Sequence, residues 1–164
     1  MTLGAVIADG NQKVLTVAKD GTNAISLGAL CIRDTAPTPK GYKQCPATTL
    51  QLGPFVVCVN KAAAIADRTF AAAFPGTMVV VKAQGAIQVG AEVQNSATVS
   101  GAVMAFAQTT TTGTYSSAEE AAVRDDRLRV VGRYIAHENE MTGVAPATDA
   151  ADTDNIVIVL GGVA

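Results

Sequence analysis

The chain has 164 residues, enough for one domain of ordinary size with a real core. Hydrophobic residues make up 49% and charged residues 16%, with a net charge of −2, which argues against nucleic acid as a partner because phosphate binding needs clustered Lys and Arg. Aromatics are 4% with no Trp, so Ala, Val, Ile and Leu carry the apolar mass and bury less area apiece, a composition that fits either cover from neighbouring subunits or a compact monomer with small-residue packing.

Residues 1–12 begin Met-Thr-Leu-Gly-Ala-Val-Ile and turn at Asp9-Gly10-Asn11, reading as an N-terminal arm or edge strand without the basic region of a signal peptide. Residues 13–164 are expected to form a single β-barrel or sandwich domain. Val14 to Val17 reads as a strand, Asp20-Gly21 as a turn, and Ile25 to Ile32 as two short strands broken at Gly28. Residues 33–50 form a long loop in which Pro37, Pro39 and Pro46 prevent a continuous ladder. Pro54 to Val59 is a continuous apolar run, the pattern of a buried strand. The Ala-rich stretch Lys61 to Phe74 is the best place for a short helix, with a loop carrying apolar contacts as the competing reading. Met78 to Val81 is a further strand, and in Thr98 to Phe106 the residues Val99, Gly101, Val103 and Ala105 alternate onto one face. Residues 108–118 are a polar low-complexity loop, and Ser117 with Glu120 opens a short helix to Asp126. Leu128 to His137 is a strand, residues 141–154 a polar loop, and Asn155 to Leu160 the last strand. Short strands separated by turn chemistry predict an all-β fold, a small antiparallel β-barrel or sandwich with long loops and an N-terminal arm.

One phrase occurs twice. Residues 24–31 read Ala-Ile-Ser-Leu-Gly-Ala-Leu-Cys and residues 86–93 read Ala-Ile-Gln-Val-Gly-Ala-Glu-Val. In both, a glycine able to adopt φ > 0 reverses the chain between strand-like residues.

No catalytic constellation is evident. The single histidine, His137, is followed by Glu138 and Glu140 and lacks the second histidine of a zinc-protease motif, so it reads as a solvated strand-end residue. Adjacent acids such as Asp125-Asp126 and Glu119-Glu120 do not converge on one substrate. Asp149, Asp152 and Asp154 lack the spacing of an EF-hand, leaving at most a weak calcium-binding loop; no metal or cofactor is expected. Arg124, Arg127, Arg129 and Arg133 are interrupted by Asp125 and Asp126 and read as a solvated face or ion-pair network. Cys31 and Cys58 fall in apolar strand patterns and Cys45 in a loop, where it is the more exposed; a reduced, intracellular protein fits this odd set, with one disulfide plus a free thiol still open. No window approaches the ~18 apolar residues of a spanning helix, so no membrane partner is expected.

Residues 78–93 (Met-Val-Val-Val-Lys-Ala-Gln-Gly-Ala-Ile-Gln-Val-Gly-Ala-Glu-Val), with Arg-Val-Val-Gly-Arg-Tyr-Ile-Ala from Arg129 and Asn-Ile-Val-Ile-Val-Leu-Gly-Gly from Asn155, resemble the capsid decoration (cement) proteins of tailed phages and archaeal viruses. Gly85, Gly90, Val131, Gly132, Ala136 and Val157 to Val159 stand at the matching places, and the first phrase copy fits too. The resemblance implies a non-enzymatic virion protein, made in the host cytoplasm, that binds the outer capsid surface and bridges capsomers. Its partners would be the major capsid protein and further copies of itself, a trimer being favoured. Contacts are expected at Thr2, Leu3 and Val6 in the arm and near Tyr42 and Tyr115 in the loops, with Gly28, Gly85, Gly90 and Gly132 as turn glycines. Another virion part (head-fibre base, tail or minor capsid protein) or a non-catalytic β-sandwich binding module is the alternative. A lipoyl-type domain wants a lysine at a hairpin tip, which neither Lys61 nor Lys82 supplies, and a carbohydrate-binding module wants exposed Trp or Tyr platforms.

Overall fold

The computed structural model describes residues 2–7, 13–34, 41–48, 50–111, 116–137, 140 and 149–161. Its strands are β1 (Val6–Ile7), β2 (Val14–Ala18), β3 (Leu30–Arg33), β4 (Tyr42–Gln44), β5 (Phe55–Cys58), β6 (Thr69–Ala73), β7 (Met78–Lys82), β8 (Glu92–Asn95), β9 (Val103–Ala105), β10 (Val130–His137) and β11 (Asn155–Leu160). A helix, α1 (Ser117–Arg129), lies between β9 and β10. The strands form two antiparallel sheets, ordered β1-β7-β11-β10-β8-β9 and β2-β6-β5-β3-β4. The expected all-β fold is therefore present, in its sandwich form.

Apart from β1, the two sheets have the same topology. Replacing β2, β6, β5, β3 and β4 by β7, β11, β10, β8 and β9 converts one order into the other. Registers agree as well. Val14↔Ala73 and Ala18↔Thr69 correspond to Met78↔Val159 and Lys82↔Asn155. Leu30↔Val57 corresponds to Glu92↔Arg133, and Cys31↔Gln44 to Val93↔Ala105. Even the single bridges recur: Ile25↔Ala63 with Ile87↔Ala150, and Lys19↔Tyr42 with Ala83↔Val103. The chain is thus two halves of one design, residues 14–73 and 78–160, and the phrase repeated in the sequence is the same turn in each. In both sheets the parallel bridge brings the end of the first strand against an edge strand, β4 or β9. One residue pair is not a ladder, so neither sheet closes into a barrel.

The larger core cluster draws on both sheets, joining Leu30, Ile32, Phe55 and Val57 to Val79, Val131, Ile158 and Leu160. A second cluster, with Ile25, Cys31, Val56, Cys58, Ala63 and Phe70, lies within the first half. Consecutive β5 residues alternate between the clusters, Phe55 and Val57 in one, Val56 and Cys58 in the other. Burial on both faces explains why this strand reads as an unbroken apolar run.

The Ala-rich stretch 61–74 departs from its helical expectation: residues 69–73 are β6, laddered between β2 and β5. A helix this short is marginal alone, and small side chains let Ala72 and Ala73 be fully buried between packed layers. The long loop expected at 33–50 contains β4, and of residues 98–106 only Val103–Ala105 is a strand because Gly101, at φ 74°, turns the chain. The α1 capping box is Ser116 with Glu119, one residue before the expected pair, and the helix continues to Arg129.

Among its residues only Asp126 is buried, so hydrophobic burial does little to place α1. Hydrogen bonds do it instead. The Asp126 carboxylate accepts from Thr109 N–H (2.7 Å) and Thr109 Oγ1 (2.9 Å), and Leu128 O accepts from Gly53 N–H (2.7 Å). Bonds to a charged group contribute roughly 1.5–3 kcal/mol each.

Candidate functional site

The N-terminal segment takes the edge-strand form at Val6–Ile7, after a turn closed by the Ala5 N–H donating to Thr2 O (3.0 Å). Gly4 N–H donates to Val80 O (2.9 Å) and Val80 N–H donates to Ala5 O (2.9 Å), seating β1 on β7 of the second half. The same segment crosses the glycine turn of the first half. A Cβ on Gly28 would lie 2.8 Å from Gly4 N and from Leu3 Cβ, so no side chain fits between them. The segment therefore straps the two halves together. Thr2 is exposed, while Leu3 and Val6 are half-buried and Val6 packs on the larger core.

Tyr42 lies on β4, half-buried, with its ring edge-on to Phe70 (centroids 6.5 Å apart, 84° between planes). The fold brings Thr2, Leu3 and Val6 together on the strap and places Tyr42 on an edge of the other sheet. Tyr115 lies outside the described residues.

Gly28 and Gly90 occupy equivalent turns with φ 73° and 83°, and each donates its N–H into the facing strand, to Cys58 O (2.9 Å) and Tyr134 O (3.0 Å). Gly85, at φ 73°, donates to Asp152 Oδ1 (2.9 Å). Gly132 is not a turn residue. It lies inside β10, so close to Val159 O of β11 that no Cβ can be accommodated.

The acidic loop residues do not converge. Asp149 accepts from Val89 N–H (3.2 Å), Asp152 from Gly85 N–H, and Asp154 from Ala151 N–H (2.7 Å). Asp67 braces Ala64 N–H (2.8 Å) in the equivalent turn of the first half. These carboxylates secure turns, and among the described residues no group of three or more His, Cys, Asp or Glu is placed to hold a metal ion. His137, expected to be solvated, is buried at the end of β10, where Nε2 lies 3.0 Å from Asp154 Oδ2. The Ala151 amide holds the Asp154 carboxyl below the usual carboxylate range, with a further contribution from His137. The pair links β10 to the turn that begins β11, a positioning role that sequence spacing does not reveal.

Arg129 contacts Asp126 (3.3 Å), Arg124 contacts Asp125 (3.9 Å) and Arg133 contacts Glu92 (3.9 Å), so three of the four arginines reach a carboxylate, while Arg124, Arg127 and Arg133 lie on a solvated face. Cys31, Cys45 and Cys58 are all free thiols. Cys45 is fully buried rather than exposed because its backbone is clamped at the junction: its N–H donates to Leu30 O (2.9 Å), and its carbonyl accepts from Gly101 N–H (3.0 Å) and Ser100 Oγ (2.9 Å).

Gln44 was not singled out by its sequence context, yet it cross-links the halves. Its Oε1 accepts from Ser26 N–H (2.9 Å), and its Nε2 donates to Ser100 O (3.1 Å) and Oγ (3.1 Å). It lines an open groove of about 500 Å³ with Asn23, Lys43 and Pro46. Lys43 is paired with Asp34 at 2.7 Å, so the groove offers amides and hydroxyls, groups suited to a polar loop or peptide. No protein-family model matches the chain, and neither does any curated protein or solved structure.

Proposed function

We propose that this protein is a non-enzymatic virion component, a capsid decoration protein that binds the outer capsid surface and stabilises contacts between capsomers. The observation that carries this reading is where the decoration-like residues fall. Met78–Lys82, the Gly85 and Gly90 turns, Val131 to Ala136 and Val157 to Val159 lie on β7, β8, β10, β11 and their connections, within one sheet. These segments are thus adjacent in space as well as ordered in sequence, and the first phrase copy forms the equivalent turn of the other sheet.

The architecture suits the task. Two like halves, strapped by residues 2–7 and cross-linked by Gln44, make a stiff body from small side chains. A lattice-binding protein gains affinity from many weak contacts repeated over the shell, and a rigid body loses little entropy when it docks. Its partners in this reading are the major capsid protein and other copies of itself, with neither nucleic acid nor membrane involved. It would be made in the host cytoplasm and reside on the virion.

The test is to mix the purified protein with empty capsids assembled from the major capsid protein of a candidate tailed virus. Saturable binding at a fixed ratio, with a raised capsid rupture temperature, is expected. Absence of binding, or binding with unchanged rupture temperature, overturns the decoration role; tail or fibre association instead marks another virion part.

A further inference from the structure

The junction of the two halves carries a second groove, of about 270 Å³, lined in part by Leu3, Leu27, Val99 and Lys82. It adjoins the polar groove beside Gln44, since Ser26 and Ser100 line both. Val99 is 37% exposed and Leu3 and Leu27 are half-buried, so one end of the combined trough is apolar. Leu3 belongs to the strap, which is therefore a wall of the trough and does not fill it.

The trough holds unused backbone groups and an unpaired cation. Asp34 N–H donates to Gly41 O and Cys45 N–H donates to Leu30 O, so residues 41, 43 and 45 turn their backbone groups toward β3. By the alternation of an antiparallel ladder, Tyr42 and Gln44 turn theirs outward. Tyr42 O accepts from Asp20 N–H (3.1 Å), where the chain leaving β2 meets this edge. Gln44 is the next outward residue, and its N–H and C=O open beside Asn23 and Ala24 of the polar groove. At the apolar end, Lys82 is half-buried with no ion-pair partner among the described residues, whereas Lys19 and Lys43 are paired with Asp20 and Asp34.

A free strand edge offers backbone bonds to an extended chain, and a cation beside apolar side chains favours a ligand that is apolar and carries a carboxylate. We infer that this trough binds an extended segment of a partner protein, apolar along one face and ending in an acidic residue. The backbone of that segment pairs with Gln44, its apolar side chains lie over Leu27 and Val99, and its carboxylate meets Lys82. The trough stands independently of the capsid reading; within that reading, the segment belongs to the major capsid protein.

The test titrates the full chain with the peptide acetyl-Ser-Val-Ala-Val-Ala-Asp-amide, whose Val and Asp side chains share a face when extended. Amide shifts are followed by NMR, alongside a control peptide with Lys in place of Asp. Saturable shifts confined to residues 24–29, 43–46 and 99–102 are expected, with slower amide exchange at Gln44. The Lys peptide should bind about tenfold more weakly, and Lys82→Glu should reverse that order. Absence of saturation, shifts centred elsewhere, or an unchanged order in Lys82→Glu overturns the inference. Should Lys82→Glu fail to fold, Val99→Asp decides: it lies on an exposed turn and should weaken the acidic peptide about fivefold or more, and undiminished binding overturns the inference. The capsid-binding experiment reads rupture temperature instead, so either result can fail without the other.

Discussion

Gly4 and Gly28 lie against each other with left-handed backbones, φ 70° and 73°, and a Cβ on either would come within 2.9 Å of the other's backbone nitrogen. This contact is where the N-terminal strap passes over the turn of the first half.

The equivalent glycine in the second half, Gly90, has the same backbone conformation but nothing within 4 Å of an added Cβ. Gly90→Ala should therefore cost only the left-handed penalty, about 1–2 kcal/mol. Gly28→Ala adds a clash with the strap and should cost about 3 kcal/mol or more. Urea denaturation of the two variants checks this, and equal losses would show that the strap does not press on the turn.

Gly132→Ala places a methyl group against Val159 O in the middle of the β10–β11 ladder. Backbone rather than a flexible side chain must yield, so a loss of about 3 kcal/mol or more is expected, exceeding that of Gly90→Ala. Thermal melts of both proteins under one condition compare them directly.

Burial pushes the Cys45 thiol up to about 12 and Cys58 to about 11, and it raises Cys31 as well. The thiolate is the reactive form, so the folded protein should resist iodoacetamide at pH 8. In urea all 3 cysteines should react. Rapid native labelling at Cys45 would contradict its clamped position between Leu30 and Gly101.

Asp154 has a folded pKa below its unfolded value of about 3.9. Its stabilising effect is therefore fully present above that value and fades as pH falls through the folded pKa. Asp154→Asn should be less stable than wild type at neutral pH, and the gap should narrow as pH is lowered below about 4. Denaturation midpoints across pH 2.5–7 test the sign: a gap that widens in acid would assign the stabilisation to another group.

The second half was far more legible than the first. Asn155–Leu160 is rich in β-branched residues and reads as a strand, yet its structural twin Thr69–Ala73 is Ala-rich and reads as a helix. Likewise Ile25 and Ile87 sit in matching phrases, whereas their bridge partners Ala63 and Ala150 sit in segments that share only the sparse pattern Ala-Ala-x-x-Asp, at 63–67 and 150–154. Glycine is required where the turn needs φ > 0, so that part of the repeat survives in sequence. The partner turns are braced by Asp67 and Asp154 side chains instead, and that device leaves a different trace.

By itself the sequence determined the all-β class, most strand positions, the two glycine turns and the core placement of Cys31 and Cys58, because each follows from local periodicity or backbone sterics. Tertiary structure alone decided the common topology of the halves, the burial of Cys45 and His137 and the bridging role of Gln44. Those features depend on which distant backbones meet, and hydrogen-bond pairing between strands carries no fixed spacing along the chain.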